Sequence, residues 1–345
     1  MALAPALHSP ITRSVRRNLA LLLLLVGVAI TTWFRSERVL IVPDDTLHFE
    51  ALKLPAAPVL AAHLGPFQLE HAWQMKLGSH LFGGYSALLP LPDGRMLAIS
   101  DGGRFLAFVP PGGPAYTPRL GTLLVAHRDD KRGVDAESAA RDPKTGMIWL
   151  GMEFRNAIMR LGPDWTRNGL VAPKAMANWP SNSGPEAIAR LQDGRFLVLA
   201  EGAREWLWPR THDGLLFAGD PIDDPEAVTP FTLEGPTGFV PVDMVQIPDG
   251  RVLILMRTLI WPVPEIFAGR IAIGDPGQIR KDGTWRITEV ARLASTLPVD
   301  NFEGIAMVPR PDGRLTVWLI SDDNQTQLQR TLLWKMVVDP ADLPR

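Results

Sequence analysis

One pattern returns five times along this chain, and it restricts the fold more than any other feature of the sequence. Its most complete copy runs from Asn301 to Asn324. An acidic residue, Glu303, opens a short apolar run, and an Asp312-Gly313 turn follows. A β-branched and aromatic run, Leu315 to Ile320, leads into the polar cluster Ser321-Asp322-Asp323-Asn324. Two apolar runs joined by Asp-Gly read as a β-hairpin, so the acids at its two open ends lie side by side. The earlier copies turn at Asp93, Asp142, Asp193 and Asp249, with successive turns roughly 50 to 60 residues apart. Short strands repeating at that period predict an all-β chain folded as a β-propeller with five recognisable blades. A sixth would require a degenerate blade in the Pro- and Trp-rich stretch from Trp206 to Thr232.

Propeller blades cannot bury their faces singly, so the 345 residues are expected to form one repeat domain after an N-terminal segment. We place a signal peptide or signal anchor at 1–35, a linker at 36–64 and the propeller at 65–345. Arg13, Arg16 and Arg17 precede an apolar run from Leu19 to Phe34, the pattern of an export signal. That run spans about 24 Å as a helix, short of the roughly 30 Å hydrocarbon core. A cleaved signal and a short uncleaved anchor both fit. The expected location is therefore the periplasmic or extracellular side, anchored to the inner membrane by this hydrophobic helix or secreted after cleavage. Pro43, Pro55 and Pro58 without apolar periodicity give the linker reading. The alternating run from Phe67 to Leu77 reads as a strand that closes the ring against Thr331 to Val338.

A net charge of −2 argues against nucleic acid as a partner. With no cysteine, the chain has neither disulfide, thiolate nucleophile nor zinc–cysteine site.

Propeller connectivity sorts the polar residues onto two faces. The Asp-Gly-Arg turns, with Arg95, Arg195, Arg251 and Arg314, fall on the far face and read as turn chemistry. On the near face, the starts of the first strands place Glu137, Glu186, Asp243 and Glu303 around the axis. Ends of second strands place Asp101, Glu153, Glu201 and Asp322 in the next ring. Arg104, Arg155, Arg204 and Arg257 sit at or just past those ends, and blade connections add His80, His127, Asn182 and Asp300. Converging carboxylates raise one another's pKa, which a hard cation relieves. Calcium accepts such an all-oxygen set, so Glu137, Glu186, Asp243, Glu303 and Asp322 are the expected ligands, Glu303 foremost.

The chain resembles the phytase-like domain family, described as having esterase-like activity of phytase. The resemblance rests on Asp300-Asn301-Phe302-Glu303-Gly304, on Ser321-Asp322-Asp323-Asn324, and on the Gln329 to Leu333 ending. Asp135-Ala136-Glu137-Ser138 and Gly184-Pro185-Glu186-Ala187 also fit, and the match runs from Phe82 to Val338. Its likeness to calcium-dependent propeller phytases is architectural. The resemblance implies an ester hydrolase taking a small-molecule phosphoric or other ester. Glu137 and Glu186 would serve in catalysis as well as in cation binding. Arg104, Arg155 and Arg204 would neutralise phosphate, and His80 or His127 would transfer a proton to the leaving group. No Gly-x-Ser-x-Gly elbow is present, which argues against an α/β-hydrolase esterase. The competing expectation is a non-catalytic, calcium-braced propeller that binds an envelope ligand or protein.

Overall fold

The computed structural model describes residues 46–124, 134–205, 208–262, 265–326 and 328–345, and ahead of them a helix, α1 (Pro10–Trp33), with side chains over 15–27. Among the described residues no helix is long and apolar enough to cross a membrane. Within the stretch expected to be a linker, β1 (His48–Ala51) and α2 (Ala57–Leu64) are folded elements. Strand β2 (Gln68–Lys76) follows.

The first blade is β3 (Tyr85–Pro90), β4 (Met96–Ser100), β5 (Arg104–Phe108) and β6 (Arg119–Thr122). The second is β7 (Ala136–Arg141), β8 (Ile148–Met152), β9 (Ala157–Leu161) and β10 (Arg167–Val171). The third is β11 (Pro185–Arg190), β12 (Phe196–Ala203), β13 (Thr211–Phe217) and β14 (Val228–Glu234). The fourth contains β15 (Val240–Gln246), β16 (Val252–Pro262) and β17 (Glu265–Gly274). After it come β18 (Thr284–Arg286) and β19 (Thr288–Leu293), then β20 (Asn301–Pro309), β21 (Leu315–Asp322) and β22 (Leu332–Val338) of the fifth.

Among the described residues these strands form five sheets, the blades of a five-bladed propeller. The Trp206 to Thr232 stretch holds no sixth blade: it supplies β13 and most of β14, the outer strands of blade three. Trp285 lies in the seam between blades three and four. Its strand, β18, pairs parallel with β14 of blade three, while β19 completes blade four. The cause is packing, because the indole is buried edge-on against Phe231.

Ring closure follows the expectation. β2, from the N-terminal side, pairs antiparallel with β22 (Trp73 opposite Leu333, Leu69 opposite Met336), and β1 adds an edge strand to β2. A blade is apolar on both faces, so its neighbours must cover it. Five apolar clusters accordingly fill the five seams. The seam between blades five and one joins Trp73, Trp318 and Leu333 to Leu88, Met96 and Phe108. On the far face, each Asp-Gly-Arg turn is held by its own aspartate, which accepts from the backbone amide and guanidinium of the arginine two residues on. Arg251 also donates to the carbonyl of Leu343 at 2.8 Å and to that of Pro340 at 2.8 Å, fastening the C-terminus under blade four.

Candidate active site

The five innermost strands ring the axis, each packed on the next, and every one carries an irregularity near its start. Tyr85 and Ala87 face consecutive residues of β4, leaving Ser86 as an extra residue. Glu137, Glu186 and Glu303 are the extra residues of their strands in the same way. A bulge re-aims its side chain, so these glutamates turn toward a common centre on the near face. In blade four the bulge falls on Val242. Asp243, expected at this position, therefore lies one residue past it. Its carboxylate accepts from the Ile305 amide at 2.7 Å and the Met244 amide at 2.8 Å. Asp243 is a buried staple between the inner strands of blades four and five, outside the acidic centre. Gly304, beside Glu303, allows blades five and one to approach: a Cβ there would lie 2.6 Å from Ile320 and 3.0 Å from the Leu88 amide nitrogen.

Two groups of carboxylates form next to the bulges. Oxygens of Asp135, Glu137 and Glu153 lie within 4.8 Å of one another, as do oxygens of Glu153, Glu186 and Glu201. Glu153 belongs to both. Burial raises the Glu137 carboxyl well above the ordinary range, and Glu303, Asp101, Glu153 and Asp135 raise it further. Burial does the same to Glu186, reinforced by Glu137, Glu201 and Glu153. Glu153 is pushed up to about 7, by burial first and by Asp135 and Glu201 next, against a hydrogen bond with Glu186 that lowers it.

A guanidinium enters from β16. Arg257 bonds Glu303 at 3.0 Å and Glu201 at 3.2 Å, and donates to the Asn301 amide oxygen at 3.1 Å. Asn301 in turn donates to Glu303 Oε1 at 2.7 Å. Burial works against the charge of Arg257, but Glu303, Glu201, Glu186 and Glu137 outweigh it and hold the guanidinium above its ordinary pKa. Glu303 is thus committed through Oε1 to Arg257 and Asn301, and the two close carboxylate groups form without it. Asp322 completes the wall, its carboxyl raised well above the ordinary range by burial and then by Glu303 and Asp101. Beside it, Asp323 accepts from the Gly84 amide at 3.2 Å and from Thr331 Oγ1 at 3.3 Å.

The structure therefore brings Glu137, Glu186, Glu303 and Asp322 together and leaves Asp243 out. Arg104 lies at the mouth, near Asp101, and donates to the His80 carbonyl at 2.9 Å. The His80 residue is exposed. Arg204 is held by Asp213 across the β12–β13 hairpin, with Nε 2.9 Å from Oδ1. Arg155 is exposed in the β8–β9 turn. His127 lies outside the described residues. The sequence reading placed Glu153 and Glu201 on this face, yet gave no role to them, to Asp135 or to Arg257. The shared offset of Glu153 and Glu201 past the turn glycines Gly146 and Gly194 was the signal available for those two.

The fold and site define a five-bladed propeller with a carboxylate cluster at one mouth of its axis. A family model described as phytase-like, "Esterase-like activity of phytase", matches residues 80–325, well over half of the chain, and the chain belongs to that family. No curated protein matches the sequence significantly. Among solved structures, the chain is similar to an endo-arabinase from Bacteroides thetaiotaomicron, at 14% identity over 74% of this chain and 94% of that one, with a TM-score of 0.46. A nidogen/laminin complex gives 11% identity over 85% and 98%, with a TM-score of 0.43. Hydrazine synthase of Kuenenia stuttgartiensis gives 11% over 76% and 66%, with a TM-score of 0.38. Likenesses at this level say nothing about activity.

Proposed function

We propose that the chain is an exported hydrolase of phosphoric or related esters that works with calcium held by Asp135, Glu137, Glu153, Glu186 and Glu201. The observation that carries this reading is the pair of three-carboxylate groups sharing Glu153, with oxygens within 4.8 Å. Such crowding of like charge is costly unless protons or a cation relieve it. An all-oxygen donor set suits calcium and not a soft metal. When bound, the cation supplies a Lewis acid for a phosphoryl oxygen and lowers the pKa of a water. Glu186 and Glu153, hydrogen-bonded to each other and titrating above ordinary carboxylates, are the groups suited to carry a proton to or from the ester. Arg104 at the mouth offers a guanidinium to an anionic substrate. Arg257 fixes Glu201 and Glu303 and sets the wall behind which the other acids stand. The basic residues ahead of the α1 apolar run support export, with α1 as signal or anchor.

Arg257 also favours a second reading. It neutralises Glu303 and Glu201 as a structural ion pair does, which suits a binding propeller with calcium as a brace. A panel of phosphomonoesters, phosphodiesters and carboxyl esters, run with calcium and with chelator, separates the two. Calcium-dependent turnover supports the hydrolase; a calcium-raised melting temperature with no turnover supports the brace; no response of either kind sinks both.

A further inference from the structure

The acidic centre has an apolar surround. Among the described residues of the propeller, the well-exposed large apolar side chains lie, Val59 apart, on connections between second and third strands or at the outer end of the β16–β17 hairpin, where Ile266 also stands. Phe154 (38% exposed), Trp208 (76%) and Leu328 (57%) occupy those of blades two, three and five. The β16–β17 hairpin carries Leu259, Ile260 and Trp261, 48%, 55% and 58% exposed. All these connections are on the near face, because the Asp-Gly turns take the far one. The hairpin is also the longest: Thr258 to Pro262 continue past Arg257, which is at the level of the acids, by roughly 15 Å at the usual rise of a strand. The tips therefore meet anything flat before the acids do.

In β1, His48 pairs with Lys76, at the near-face end of β2, so the chain enters the propeller from the near face. Ahead of it is α1, whose leucines from Leu19 (54% exposed) to Leu25 (65%) are uncovered and follow Arg16 and Arg17. Residues 34–45 between them reach at most roughly 40 Å. A helix whose leucines sit in lipid thus keeps the near face, with its apolar tips, close to the same bilayer. Trp with aliphatic neighbours is the side-chain set that settles at a lipid–water interface.

We propose that the near face docks on a lipid bilayer, with the β16–β17 tip inserted at the interface and the carboxylate cluster opening toward the membrane surface. The proposal rests on α1 as a lipid-bound segment and needs no hydrolysis. The test uses the absence of cysteine from the natural sequence. The full chain carrying Ile260→Cys, and separately Lys144→Cys on the far face, is labelled with an environment-sensitive fluorophore. Each is reconstituted into phosphatidylcholine–phosphatidylglycerol vesicles with and without spin-labelled lipid. The Ile260→Cys label should shift to the blue and lose most of its emission to the spin label, and the Lys144→Cys label should do neither. Protein that sediments with vesicles while the position-260 label stays unchanged overturns the docking and leaves the α1 reading standing. Protein that does not sediment overturns both. A blue shift without quenching by spin-labelled lipid assigns the tip to a protein contact and also overturns the proposal. If Ile260→Cys does not fold, Leu328→Cys gives the same readout from blade five.

Discussion

Glu153 is the residue on which the site turns, because both carboxylate groups include it. Its carboxyl rises from the ordinary 4.5 to about 7 on folding. A group raised in this way binds its proton more tightly when folded, so its contribution to stability is complete below pH 4.5 and lost as pH rises through about 7. Glu137 and Glu186 shift in the same direction. The calcium-free protein should accordingly lose melting temperature between about pH 4.5 and 7 by scanning calorimetry, with Glu153→Gln flattening that loss. A melting temperature that climbs across this interval would show that the acids are not mutually repelling. Arg257 gives the complementary prediction. Arg257→Met leaves Glu303 and Glu201 without their partner and should cost about 3 kcal/mol at neutral pH in a denaturant titration. The cost should shrink toward pH 5, where Glu303, its carboxyl raised by burial, takes up a proton more readily.

At the scale of elements, hairpins were legible because an Asp-Gly turn is a local signal that needs no partner strand. Four Asp-Gly turns and the longer Asp142 to Gly146 turn marked the blades, and the apolar run from Phe67 to Leu77 marked the closing strand. The bulges were not legible, because an extra residue exists only relative to the strand it faces. Counting from the turn therefore put Asp243 in the ring where Val242 stands. The place of Trp285 was not legible for a related reason: its strand is chosen by contact with Phe231, far away in sequence. The place of Arg257 was visible, but its pairing with glutamates from two other blades was not. Asp243→Ala checks the corrected assignment. It strands two buried amides and should destabilise by about 2 to 4 kcal/mol, while calcium raises its melting temperature as much as that of the wild type. A lost calcium response with stability unchanged would return Asp243 to the site.

Over the whole molecule, the ring holds only if all five seams are filled, and β2 with α2 supplies part of two of them through Trp73, Met75, Leu64 and Leu69. A chain begun at residue 46 should therefore melt cooperatively, and one begun at residue 78 should show no cooperative transition by circular dichroism. Equal melts for the two would mean that blade five is stable without its N-terminal strands. The packing of blade two on blade three holds Glu153 of the one within 4.8 Å of Glu186 and Glu201 of the other, at a separation that a divalent cation can bridge. Calorimetric calcium titration of the wild type and of Glu153→Gln, with ester turnover followed on the same samples, tests that claim most directly. The account predicts saturable calcium binding to the wild type, weakened about tenfold or more by the substitution (about 1.4 kcal/mol), with turnover falling in parallel. Equal calcium affinity in the two proteins, or no binding to either, would contradict it.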